Sequence, residues 1–260
     1  MKPFAVIGDI HGCLKEFEDL VSLIRSTHPN CRIICLGDFL DKGPFGPECV
    51  RFAREQGIES VLGNHEEWGL RWLRHEQIKA MKPGYVNPMK VKIPEDIHHL
   101  SRLSQEDVAW LASLPVYIQI EDYIIVHGGL QPGILLSDQD PSKMIRLRWV
   151  DGSGDHVPVD YSKPRDYLPP GVCYWSEKWD GDFHVVYGHE AHSVVKPRID
   201  TNSKGFHCYG IDTAVVHGGY LTSLVVSPDN GVSFLSVPAR KVYLDADAHR
   251  DSMVASAGHS

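Results

Sequence analysis

Four glycine-flanked motifs, each set directly after a short apolar run, constrain this chain more than any other feature. They are Gly8-Asp9-Ile10-His11-Gly12, Gly37-Asp38-Phe39-Leu40-Asp41-Lys42-Gly43, Gly63-Asn64-His65-Glu66 and His127-Gly128-Gly129. The runs before them, Phe4 to Ile7, Arg32 to Leu36, Ser60 to Leu62 and Val116 to Val126, read as strands. Helical patterns follow the first three. Leu14, Phe17, Leu20, Val21 and Ile24 recur at helical spacing, and further helices are expected over Val50 to Gln56 and Glu66 to Met81. Strand–loop–helix units in series predict an α/β fold. In such folds ligands bind at the carboxyl ends of strands, where these motifs sit.

The remainder is less regular. Residues 82–103 carry several prolines and read as a connecting segment. Ser104, with Asp107 three positions on, predicts a helix start, and the helix runs to about Ser113. Val116 to Val126 predicts a hairpin turning at Glu121-Asp122. Residues 150–182, rich in Asp, Gly and Pro, read as a long surface loop, a lid or a substrate-selecting segment. Strands are expected at Phe183 to Tyr187, Gly205 to Gly210, Tyr220 to Val226 and Val232 to Val237. A catalytic domain over 1–240 and a C-terminal tail over 241–260, frayed at its end, complete the expected organisation.

Composition narrows the function classes. A chain of 260 residues, 42% hydrophobic and 23% charged, can bury the core of one large domain. The net charge of −8 leaves no evident nucleic-acid tract, because that binding relies on Lys and Arg neutralising phosphates. Six cysteines without a Cys-x-x-Cys pair suggest reduced thiols and a cytoplasmic location. Phe4 to Ile7 is too short for a signal-peptide core, and no stretch has the length of a membrane-spanning helix.

The motif residues suit phosphate hydrolysis by two metals. Such a site makes a nucleophilic oxygen at neutral pH and neutralises the phosphoryl oxygens. Asp9 and His11, two residues apart in a turn, can converge on one metal. Asp38 is a carboxylate able to bridge two. Asn64, His127 and His189 offer neutral oxygen and nitrogen to the second. Mixed carboxylate and imidazole ligands favour manganese, with iron or zinc as alternatives, over magnesium or calcium. His65 is the candidate proton donor to the leaving oxygen, Asp41 its orienting partner, and Lys42 a phosphate contact. Each residue alone has an ordinary reading. Asp9 can be a turn residue, Gly63-Asn64 a turn pair, and His127 the end of a hairpin. All must hold together for the site to be absent.

With these motifs the chain resembles the calcineurin-like metallophosphoesterases of the phosphoprotein-phosphatase type, from Gly8 to about Thr222. That group includes serine/threonine phosphatases, the lambda phosphatase and diadenosine-tetraphosphatase-like enzymes. The resemblance implies a central β-sandwich flanked by helices, a four-layer fold with the metals at one edge. It also implies metal ligands at Asp9, His11, Asp38, Asn64, His127 and His189, and a catalytic His65. Hydrolysis of a phosphate ester or phosphoanhydride by a metal-bridging hydroxide would follow. The family usually has arginine where this chain has Lys42, which loses the bidentate fork. The Lys-Gly-Pro form looks like the diadenosine-tetraphosphatase-like branch. The stretch from Gly210 to Thr222 resembles the bacterial and phage-type members, with Ala214-Val215 where many have Gly-Cys. A further phosphate-binding arginine falls on Arg146 or Arg148, with Arg148 preferred. Trp149, Trp175 and Trp179 can stack on a nucleobase, although buried packing is their plainer role.

Two substrate classes share such a site: phosphorylated proteins, and small phosphorylated or nucleotide substrates such as dinucleoside polyphosphates. Lys42 and the C-terminal stretch tilt toward the second. A non-catalytic metal scaffold is disfavoured by the complete ligand set, and a two-metal nuclease by the second motif and the acidic charge.

Overall fold

Apolar runs and turn chemistry place the elements in this order: β1 (Phe4–Ile7), α1 (Leu14–Thr27), β2 (Arg32–Cys35), α2 (Gly46–Glu55), β3 (Glu59–Ser60), α3 (Asn64–Met81), α4 (Pro94–Ser101), α5 (Gln105–Ala112), β4 (Tyr117–Ile120), β5 (Tyr123–Val126), α6 (Pro141–Met144), β6 (Trp149–Val150), β7 (His156–Val157), β8 (Cys173–Tyr174), β9 (His184–Tyr187), β10 (Arg198–Thr201), β11 (His207–Gly210), β12 (Asp212–Thr213), β13 (Tyr220–Ser227) and β14 (Gly231–Pro238). This computed structural model describes residues 2–89, 94–159, 163, 167–228 and 231–245. The expected frayed end, 246–260, lies outside the described residues.

Two sheets form the centre. One runs β12-β13-β1-β2-β3 with β14 on β13, and the other β10-β11-β9-β5-β4. β1 and β2 are parallel, as are β2 and β3, and β5 and β9. Alternation along β1 explains the layering. Phe4 and Val6 face the second sheet, where they join Ile34, Leu36, Ile125, Val186 and Tyr209. Ala5 and Ile7 face the helices and meet Phe17, Leu20, Ile24 and Val50. The outer face of the second sheet carries Ile124, Val126 and Val185 against Met144, Trp175 and Trp179. The result is the expected β-sandwich with outer layers, of which the layer over the second sheet is thin: α6 and short helical turns.

Several elements depart from the sequence reading. Residues 82–103 are not only a connector, because α4 lies within them. Its eight residues carry two histidines and an apolar pair, too few to show a period against the surrounding prolines. The 150–182 stretch contributes a three-stranded sheet, β7-β6-β8, made of two-residue strands. Strands that short have no alternation to read. β10 was unforeseen and exists by pairing with β11. α2 begins at Gly46, ahead of the expected Val50, with Pro47 in its first turn. The Ser104 capping box at α5 is present as expected.

The start of the expected tail is held down. Tyr243 and Leu244 N–H groups donate to the Val216 carbonyl, and the Tyr243 hydroxyl donates to Glu16 of α1 at 2.9 Å. Ala214 adopts a left-handed φ of 57°, a cost of roughly 1–2 kcal/mol that glycine would not carry. Val215 and Val216 then enter the helix-side core.

Candidate metal centre

Five strand ends converge on one cleft. Asp9 and His11 follow β1, Asp38 follows β2, Asn64 opens α3 after β3, His127 follows β5 and His189 follows β9. The loops are stitched together: His11 N–H donates to the Asp38 carbonyl at 2.7 Å, and Gly12 N–H to the Phe39 carbonyl at 2.8 Å. His11, Asp38, Asp41, Lys42 and His189 all have left-handed φ values between 43° and 68°. Non-glycine residues in that region carry backbone strain, which collects where side chains must be aimed.

Asp38 is the shared member of two ligand groups. One is His11, Asp38 and His65, and the other Asp38, His127 and His189; in each, one donor atom per residue lies within 4.8 Å of the others. Asp38 Oδ2 is 3.5 Å from His11 Nε2 and 3.3 Å from His127 Nε2. Asp9 Oδ2 is 3.9 Å from His11 Nε2. Both Asp9 oxygens accept the His189 N–H at 3.1 Å. Glycine makes these approaches possible. A Cβ on Gly63 would lie 2.3 Å from Asp38 Oδ1, and one on Gly188 2.0 Å from Asp9 Oδ1.

The donor set fits divalent cations. His127 Nδ1 donates to the Leu36 carbonyl at 2.7 Å, so the neutral ring presents a lone pair at Nε2. That lone pair faces Asn64 Oδ1 at 2.9 Å and Asp38 Oδ2, which are also acceptors. A cation placed among them, or an added proton, reconciles all three. His189 Nε2 is buried without a hydrogen-bond partner. Burial pushes the Asp9 carboxyl well above its usual range, and the neighbouring Asp212 adds to this. Burial likewise lowers His11, with Lys42 adding to the effect. Burial alone would raise Asp38, but the imidazoles of His127 and His65 outweigh it and hold the carboxyl well below its usual range.

His65, a member of the first group, lies in the first turn of α3. Its Nδ1 meets Asp41 Oδ2 at 2.6 Å, and its Nε2 is 3.8 Å from Asp38 Oδ2. Burial lowers its pKa, but Asp38 and the Asp41 hydrogen bond prevail and raise it. Lys42 Nζ reaches into the cleft and donates to His11 Nε2 at 2.7 Å. Arg148 Nε donates to Glu190 at 2.5 Å and its Nη2 to the His189 carbonyl at 3.5 Å. Arg146 instead pairs with Glu67. Trp149, Trp175 and Trp179 are buried; the Trp175 indole donates to the Gly128 carbonyl at 3.1 Å.

Sequence reasoning left several participants without a role. Glu66 ends a quoted motif, yet its place under the Asp38 loop emerges only in three dimensions. Asp212, buried beside Asp9, accepts the Ala214 N–H at 2.9 Å. Glu190 immediately follows His189 and holds Arg148. Their only sequence signal is nearness to a motif.

The match to the family described as calcineurin-like phosphoesterase spans residues 2–227. The chain belongs to that family. This calcineurin-like phosphoesterase is 27% identical to the zinc-dependent endopolyphosphatase of Saccharomyces cerevisiae, over 88% of this chain and 77% of the relative. It is 30% identical to a symmetrical bis(5'-nucleosyl)-tetraphosphatase of Glaesserella parasuis, over 84% and 93%. The asymmetrical bis(5'-nucleosyl)-tetraphosphatase of Halalkalibacterium halodurans is 26% identical over 92% and 94%. Among solved structures, that of a candidate diadenosine tetraphosphatase superposes with a TM-score of 0.69 at 23% identity, covering 92% of this chain and 94% of that one. That likeness supports the fold. The calcineurin-like phosphoesterase is therefore a hydrolase of the metallophosphoesterase class. Among the described residues no helix is long and apolar enough to cross a membrane.

Proposed function

We propose that this enzyme cleaves phosphoanhydride bonds in small phosphorylated substrates, dinucleoside polyphosphates first among them. The observation that carries the reading is Asp38, whose carboxylate is common to two candidate ligand clusters, one with His11 and His65 and the other with His127 and His189, while Asp41 holds the far side of the His65 ring. The residues proposed to hold two divalent ions are Asp9, His11, Asp38, Asn64, His127 and His189, with manganese expected and iron or zinc as alternatives. Bound there, the ions would supply a nucleophile at neutral pH and charge neutralisation at phosphorus.

The chain's own groups do the remaining work. Asp41 takes the Nδ1 side of His65, which leaves Nε2 facing the cleft as the proton donor to the leaving oxygen. The Asp41 hydrogen bond favours the protonated imidazole. Lys42 and Arg148, whose charges both act on His189, are proposed to take the phosphate oxygens. Arg148 is favoured over Arg146 because it touches the His189 backbone and its charge lowers the His189 pKa after burial. The substrate class is supported by the tetraphosphatase and endopolyphosphatase relatives and by the Lys42 form of the second motif. Six free thiols suit a cytoplasmic location.

The test is a substrate panel on purified protein loaded separately with manganese, iron or zinc. Diadenosine tetraphosphate is expected to be hydrolysed with a higher kcat/KM than a phosphopeptide. The reverse order would assign the site to phosphoproteins. Full metal content without turnover of any substrate would make the protein a scaffold.

A further inference from the structure

Three buried polar atoms without hydrogen-bond partners belong to neighbouring residues behind His65. They are Asp41 Oδ1, Glu48 Oε2 and His99 Nδ1. An unpaired buried polar atom costs about 1–3 kcal/mol, so native structures hold few of them and each calls for a reason. Asp41 spends its other oxygen on His65 Nδ1. Glu48 spends its other oxygen on Arg102. His99 is nine-tenths buried, on α4.

The packing of α4 explains the meeting. Leu100 lies over Gly69, where the Leu40 side chain also approaches. The Arg102 guanidinium donates to the Pro44 carbonyl at 3.5 Å and pairs with Glu48. These contacts on either side seat His99 against the loop that carries Asp41. The groups facing the imidazole are Asp41, Arg102, His98 and Glu48; burial pushes its pKa down, and the Asp41 charge is the largest influence in the other direction.

We infer that His99 is a positioning residue for Asp41, so that the proton-donating pair is a line of three, His99–Asp41–His65, with Glu48 as the outer partner of the line. The inference rests on the proposed role of His65 as proton donor. His99 touches neither substrate nor the ligand groups. His99 Nδ1 and Asp41 Oδ1 each lack a hydrogen-bond partner; in the inferred line these two atoms act on each other, directly or through one bound water, while the first oxygen of Asp41 stays aligned on His65 Nδ1. Groups that orient a functional side chain from behind typically matter by roughly 10- to 100-fold when removed.

The test compares His99→Phe, which keeps a ring and deletes the polar atom, with His99→Asn, which restores a polar atom near the Nδ1 position. Aryl phosphates with poor and good leaving groups, phenyl and p-nitrophenyl phosphate, serve as probes. His99→Phe is expected to lower kcat for phenyl phosphate by about 10-fold, to lower it much less for p-nitrophenyl phosphate, and to leave KM unchanged. His99→Asn should recover most of the loss. Equal losses on both probes, or no recovery with Asn, would overturn the inference. A second arm needs no turnover. The proton between His65 Nδ1 and Asp41, identified by its absence in His65→Ala, should move in the NMR spectrum of His99→Phe and return in His99→Asn. An unmoved resonance in a folded His99→Phe protein also overturns the inference. An inactive wild type would remove the proposed function while this second arm still decides the role of His99.

Discussion

Glu66 holds Asp38 by its backbone: the Asp38 N–H donates to Glu66 Oε2 at 2.7 Å. The other oxygen, Oε1, accepts from Phe39 at 2.9 Å and Leu40 at 3.1 Å. The same turn of α3 grips the side chain, since His65 N–H donates to Asp38 Oδ1 at 3.2 Å. Asp38 thus sits at its strained φ of 51° with backbone and carboxylate both restrained. Burial raises the Glu66 pKa to about 7, with the Asp38 charge adding to the shift. In Glu66→Gln one oxygen can still serve Phe39 and Leu40, but the amide NH₂ then faces the Asp38 N–H. Manganese affinity measured by titration calorimetry should fall roughly 10- to 100-fold while the fold is retained. Wild-type affinity in this variant would remove Glu66 from the metal centre.

His65→Ala should keep both metals and lower turnover roughly 10²- to 10⁴-fold, the range for a lost general acid. Asp38→Asn should impair both metals together. Metal content by elemental analysis beside steady-state kinetics separates the two. Unchanged turnover of a poor leaving group in His65→Ala would refute the donor role, and full metal content in Asp38→Asn the bridge.

Gly188→Ala places a methyl group 2.0 Å from the present position of Asp9 Oδ1. The Asp9 carboxylate must then leave the His189 N–H. Metal content should drop, whereas Gly152→Ala, whose added Cβ meets nothing within 4 Å, should leave it unchanged. Equal metal content in both variants would show that the Asp9 position is not limiting.

The metal-free protein should lose stability as pH rises above 6.5. Burial lowers the His127 pKa, but the Asp38 charge and hydrogen bond prevail and hold it at about 9, against an ordinary value of 6.5. A histidine raised on folding contributes its full stabilisation below its unfolded pKa and loses it as pH climbs through its folded pKa. The urea midpoint of metal-free protein should therefore decline between pH 6.5 and about 9. His65, raised in the same direction, adds to the trend. His127→Asn should flatten the slope. A midpoint that rises over this window would contradict the charge pairing of His127 with Asp38.

Much of the site was legible because its residues are local. Asp9 with His11, Asp38 with Asp41 and Lys42, and Asn64 with His65 each sit in one loop or helix start after an apolar strand. Spacing alone shows that each set shares a turn. His189, far from the other motifs in the chain, followed from the family resemblance. Arg148 and Arg146 were not separable, because one pairs with Glu190 and the other with Glu67, partners 42 and 79 residues away. α4 and the small sheet of β6, β7 and β8 escaped for a different reason. Their segments are too short for a period to rise above turn residues, and they exist through the surfaces they cover.

The sequence by itself determined the chemistry: which carboxylates and imidazoles stand at strand ends, and hence that phosphate and divalent metals are the matching partners. Those choices follow from residue type and from local backbone conformation. The tertiary structure alone decided that β1, β2 and β3 belong to one sheet and β5 and β9 to another, so that the cleft straddles a sandwich. It also decided that Glu66 lies under Asp38 and that His99 lies behind Asp41. These are contacts between distant segments, selected by the packing of apolar faces, and no local pattern records them.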